Sequence, residues 1–240
     1  MSAALGVCCV VAALLVLTGC ESTVDEARKI AANGEALMHQ HGMTVTRTDR
    51  RIRVLSTAVI HDANGTAAVV ELRNRGREGV IDAPIAIEVT NPAGKAVFQN
   101  NAPGLELALN HVPLLEPGQV VEWVDDQVLP SGTAVHVIAR IGVGRPAARN
   151  VPRIEVSGVK LTNDPVSGYA ASGQVRNASS VSQVQLVLFA IARRAGRIVA
   201  AGRAVLPRLA AGKSLPFHAY FTGNPTGAQI SVSAPPSIVP

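Results

Sequence analysis

Between about residue 52 and residue 234 the apolar positions of the chain recur with a period of two. In PIAIEVTN, Ile85, Ile87 and Val89 fall on one side of an extended chain while Ala86, Glu88 and Thr90 fall on the other, the alternation of a half-buried strand. Asn64-Gly65 separates two such runs and reads as a hairpin turn. Pro92-Ala93-Gly94, Pro117-Gly118 and Ala195-Gly196 supply further turns. Short strands at turn spacings of roughly ten residues, with no long amphipathic helix among them, predict an all-β chain of antiparallel β-sandwiches.

The pattern occurs twice. AAVVELRNRG (67–76) parallels AASGQVRNAS (170–179) and sets Asn74 over Asn177. VTNPAGKAV (89–97) parallels AIARRAGRIV (190–199), and LLEPGQVVEW (114–123) parallels RLAAGKSLPF (208–217), with Trp123 or Phe217 five residues after the glycine. The offsets are 103, 102 and 94, so the second copy has a shorter middle. A strand ending in Asn, a turn with Gly-Lys or Gly-Arg, then Pro-Gly or Ala-Gly before a strand with an aromatic resembles the FxLYD-type immunoglobulin-like domains of bacterial envelope lipoproteins. That resemblance implies two tandem immunoglobulin-like sandwiches, at 51–143 and 153–240, joined by the linker GRPAARNVP at 144–152. It implies modules for binding or spacing, and the fold alone names no activity.

Ahead of the sandwiches, an apolar run from Ala3 to Leu17 has the length of a secretory leader rather than of a bilayer crossing, which takes about 20 residues. Leu17-Thr18-Gly19-Cys20 after it resembles a bacterial lipobox. The resemblance implies a signal peptide at 1–19, cleavage before Cys20, lipid (diacylglycerol and an amide-linked acyl chain such as palmitate) on Cys20, and export to the cell membrane or outer membrane. Cys8 and Cys9 would leave with the leader, so the mature chain is expected to contain no disulfide, zinc–thiolate site or cysteine nucleophile. Residues 20–50 read as a lipidated stalk with a short polar helix at 24–41, its first turn marked by Asp25 and Glu26 and its end by Gly42.

Charge divides the chain. Residues 21–144 carry 11 Lys and Arg against 15 Asp and Glu, a net of −4, whereas residues 145–240 carry 11 against 2, a net of +9. Such asymmetry speaks to partners rather than to fold. Arg193, Arg194 and Arg197 bracket one turn, with Arg203, Arg208 and Lys213 close behind, and these six form the candidate face for an anionic partner: an acidic envelope polymer, lipid headgroups or an acidic protein surface. Nucleic acid is a poor partner, because the exported location removes the opportunity and the basic stretch lacks interleaved aromatics.

No reaction is legible. Hydrolysis needs a nucleophile, a base and an orienting acid, and the chain has no GxSxG elbow, HExxH helix, phosphate loop or paired-carboxylate motif. His39 and Glu35 stand one helical turn apart, but they would supply only two of the three or four ligands of a zinc site. His61-Asp62 and Asp125-Asp126 read as turn and edge polar groups, Asn64-Gly65-Thr66 and Asn177-Ala178-Ser179 as turn chemistry, and Trp123 and Phe217 as core. No catalytic residue, cofactor or metal is expected. The sequence points to a lipid-anchored envelope protein that binds or scaffolds. An accessory ligand-binding lipoprotein serving a membrane transporter is the alternative, and a cell-wall hydrolase a more distant one.

Overall fold

The computed structural model describes residues 42–240, and they are all-β. In the first repeat β1 (Ile52–Asp62), β2 (Gly65–Asn74) and β6 (Val120–Val128) form one antiparallel sheet. Facing it is a sheet centred on β3 (Val80–Thr90). The first half of β3 pairs with β5 (His111–Leu115) and β8 (Arg145–Pro146), and its second half with β4 (Ala96–Gln99) and β7 (His136–Ile141). The side chains between the two sheets include Ile85, Ile87, Val89 and Trp123, all buried as the period of two requires.

The second repeat follows the same order with one economy of strands. β9 (Ile154–Asp164), β10 (Gly168–Asn177), β11 (Gln183–Arg194), β12 (Arg197–Leu209), β13 (Ser214–Gly223) and β14 (Gln229–Ser233) form a single sheet in the order β14-β11-β12-β13-β10-β9. The sheet curls until both of its edge strands reach one core: Ile154 and Val156 from β9 and Val232 from β14 pack on Val175, Leu186, Leu188, Leu209 and Phe217.

The shorter middle of the second copy explains why one repeat has two sheets and the other has one. β12 runs unbroken, pairing with β11 on one side and, over Ala200–Arg203, with β13 on the other. In the first repeat the equivalent stretch is interrupted between Gln99 and His111 by a loop containing the 3-10 turn Leu107–Leu109, so β4 and β5 stay on β3 and neither pairs with β6. Gly202 lets β12 approach β13 this closely, because a Cβ there would overlap the carbonyl oxygen of Tyr220.

Two strands are buried on both faces. Leu186 to Ala192 of β11 are all buried. Leu186, Leu188, Ala190 and Ala192 point into the second repeat's own clusters, while Val187, Phe189 and Ile191 join the cluster of the first repeat. On the other side Thr66 to Val70 of β2 are buried without a break. The two repeats therefore share apolar surface, and the described residues form one compact unit. The segment expected as a linker is tied down at its start, where Arg145 and Pro146 pair with β3 and the Ala147 N–H donates to Gly79 O at 2.8 Å.

Candidate functional site

The repeated asparagines end equivalent strands and do equivalent work. Asn74 donates its side-chain amide to Glu78 O (2.8 Å) and Leu115 O (2.9 Å), and its Oδ1 accepts from Gly76 N (2.8 Å). Asn177 donates to Val181 O (2.8 Å) and Leu209 O (3.2 Å) and accepts from Ser179 N at 3.1 Å. Both side chains are fully buried, so each secures the loop after its strand to the strand opposite.

Around Asn177 this arrangement gathers cations that are remote in sequence. The Ala178 N–H donates to Arg153 O and the Asn177 N–H to Lys213 O, both at 2.9 Å. Arg176 pairs across strands with Ser214, and Arg208 with Val184 beside the strand end. Glu155 bridges Arg153 (2.9 Å) and Arg176 (3.5 Å). The guanidiniums of Arg153 and Arg176 stay largely exposed, as do Arg208 and Lys213.

The six cations of the sequence-level face therefore fall in three places. Arg208 and Lys213 belong to the basic end just described. Arg194 and Arg197 flank the β11–β12 turn at the far end of the long hairpin, where Arg194 donates to the carbonyls of Asn224 (3.4 Å) and Thr226. Arg193 and Arg203 face the first repeat: Arg193 pairs with Glu122 at 3.0 Å and reaches Glu71 at 4.0 Å, and Arg203 pairs with Asp126 at 3.3 Å. With Arg145 on Asp82, three cations of the basic half pair with carboxylates of the acidic half among the described residues. Part of the charge asymmetry is thus complementarity within one chain. Arg153 and Arg176, absent from the sequence-level face, join it only through strand pairing.

The seam between the repeats buries charge. Arg203 is 8% exposed, and its Nη1 has no hydrogen-bond partner. Burial pushes the Asp125 carboxyl up to about 6, against the pull of the Gln127 N–H and the Arg203 charge. Burial also raises Asp126, again opposed by Arg203. At the edge of the seam Asp62, whose Oδ1 holds the β1–β2 turn through the N–H groups of Asn64 (2.8 Å) and Gly65 (3.2 Å), uses Oδ2 to accept from Gly223 N at 2.7 Å.

His61 Nδ1 meets Thr66 Oγ1 at 2.9 Å. Ser172 Oγ lies 2.9 Å from His218 Nδ1 and 2.6 Å from Thr162 Oγ1, a cross-strand chain with no carboxylate in it. Among the described residues no group of three or more His, Cys, Asp or Glu is placed to hold a metal, and no helix is long and apolar enough to cross a membrane. Cys20 and the expected stalk helix lie outside the described residues. No protein-family model matches the chain, and no curated protein matches it.

Proposed function

We propose that this chain is an exported lipoprotein, held to a membrane through lipid on Cys20, and that it binds an anionic envelope partner without catalysing a reaction. The binding surface in this reading is the basic end of the second repeat: Arg153, Arg176, Arg208 and Lys213. The observation that carries it is their convergence on the Asn177 strand end with Glu155 as the acidic member of the cluster. Exposed cations on a rigid sheet end attract polyanions over a Debye length of about 8 Å at physiological salt.

The test is binding of the full-length protein to anionic vesicles and to an acidic wall polymer across a salt series. Replacing Arg153, Arg176, Arg208 and Lys213 by Ser is expected to abolish salt-sensitive retention with little change in melting temperature, since exposed ion pairs contribute about 0–1 kcal/mol each. Equal retention by the quadruple variant would remove this surface from consideration. Phase partition of Cys20→Ala tests the anchor separately: wild-type protein is expected in the detergent phase and the variant unlipidated.

A further inference from the structure

Between the repeats lies a cleft of about 350 Å³, lined from the first repeat by Leu107, Ala108, His111 and Pro113 and from the second by Val184, Val187 and Ile238, with Asp82, Glu106, Gln185 and Ser237 at its polar positions. Its volume falls in the range of small-ligand sites, roughly 300–1,000 Å³. Three of its apolar side chains are unusually open to solvent for their size: Leu107 at 68%, Val184 at 49% and Ile238 at 42%.

Both walls are built rather than incidental. Leu107 and Ala108 of the first belong to the segment that only the first repeat possesses, and that segment is held by Asn100, 1% exposed, which donates to Ile85 O (2.9 Å) and Leu109 O (2.8 Å) and accepts from Ile87 N at 2.7 Å. The second combines β11 with the C-terminal strap, which fully buried Gln183 holds: its Oε1 accepts from Ser237 N and Ile238 N, both at 2.9 Å, and its Nε2 donates to Ile238 O at 3.2 Å. Asp82 and Gln185 occupy equivalent positions, 103 residues apart, and share a left-handed backbone with φ of 50° and 51°. The same left-handed position in each repeat thus brings one polar side chain to the cleft.

The polar positions favour donors on the ligand. Both charged residues of the lining, Asp82 and Glu106, are acidic. Arg145, paired with Asp82, and Arg208, opposite Val184, stand outside the lining. Half-buried His111 sits 2.6 Å from Asn110 Oδ1 through Nδ1, so the proton is assigned to Nδ1 and Nε2 remains an acceptor. Burial lowers its basicity and keeps the ring neutral at pH 7. We infer that the cleft is a binding site for a small amphiphilic cation, an apolar body of about ten heavy atoms carrying a protonated amine. This inference does not rest on the basic end or on the lipid anchor.

The test uses full-length protein with methyl-labelled Leu, Val and Ile, titrated with 3-phenylpropylammonium, 3-phenylpropionate and 3-phenylpropanol. The ammonium is expected to shift the methyl signals of Leu107, Val184, Val187 and Ile238 with a Kd of about 1 mM or tighter, as fits a probe of this size. The carboxylate is expected to bind at least about tenfold more weakly, because it meets like charge. Glu106→Gln should weaken the ammonium several-fold and leave the alcohol unchanged. Val184→Trp, or Leu107→Ser should the tryptophan disturb folding, is expected to abolish or sharply weaken all three. The proposal is overturned by a carboxylate that binds as tightly as the ammonium, by shifts that survive both apolar-site variants, or by silent methyl signals at about 10 mM probe.

Discussion

Arg203 on β12 and Asp126 on β6 meet twice across the seam: the Arg203 backbone N–H donates to one carboxylate oxygen at 3.1 Å, and its Nε lies 3.3 Å from the other. Removing one partner of a buried pair strands the other charge. Arg203→Ala is expected to cost about 3–5 kcal/mol, whereas Arg203→Met combined with Asp126→Leu should cost far less or nothing. Chemical denaturation of the two variants measures the difference, and equal losses would show that the seam does not depend on charge compensation.

The Asp125 carboxyl supplies a pH dependence of definite sign. Its folded value, about 6, lies above the ordinary 3.8, so the folded chain holds a proton that the unfolded chain releases between those values. Its contribution is full below pH 3.8 and is lost as pH rises through about 6. Acidification from pH 7 toward pH 4.5 should therefore gain on the order of 2 kcal/mol from this group. Asp126, raised in the same direction, adds to the effect; His111, made less basic by burial, opposes it as pH falls through 6.5, and Asp49, lowered by its hydrogen bonds to Arg51, takes stability away at more acidic pH. Denaturation midpoints of Asp125→Asn measured across this range should lose most of the slope, and an unchanged slope would assign it elsewhere.

Asn74 and Asn177 offer a paired test of the repeat. Truncating either to Ala leaves two carbonyls without their donor, one buried and one part-buried: Leu115 and Glu78 O in one case, Leu209 and Val181 O in the other. Each change is expected to cost about 2–4 kcal/mol. Asp in place of Asn should be worse than Ala, because it sets a carboxylate against the same carbonyls. Urea midpoints that fell at one position and not at the other would break the equivalence.

Separating the repeats should expose the outward face of β11. A fragment of residues 151–240 would present Val187, Phe189 and Ile191 to water, and is expected to bind hydrophobic dye and self-associate. Replacing those three by Thr, Ser and Thr should relieve both effects in the fragment while destabilising the intact chain. A wild-type fragment that stayed monomeric with no dye binding would contradict a dependence of β11 on the first repeat.

The fold was legible where a residue's role is local. Period-two alternation marked the strands, and the register of the two copies placed Asn177 on Asn74 and Phe217 on Trp123, positions that are buried in both. What escaped was long-range. Reading Arg193 and Arg203 with Arg194 and Arg197 as one face assumes that neighbours in sequence point together, but the direction of each is set by which side of β11 or β12 meets the first repeat. The signal was present in a different form: LVLFAIA and AAVV are unbroken apolar runs, and a strand that faces water on one side alternates instead. The cleft was beyond reach, since its walls come from an insertion and a C-terminal strap that only tertiary folding brings together.

The double-sided burial of β11 also governs how freely the two halves can vary. A change at Leu186, Leu188 or Ala190 is felt within the second repeat, whereas a change at Val187, Phe189 or Ile191 is felt by both repeats at once. Adjacent positions of one strand are thus subject to different selective pressures, one set answering to a single half and the other to the pair. A lineage can drift in the first set one residue at a time. In the second it must move in step with β2 and β6, and neither copy can be deleted without turning the other's buried strand into exposed, association-prone surface.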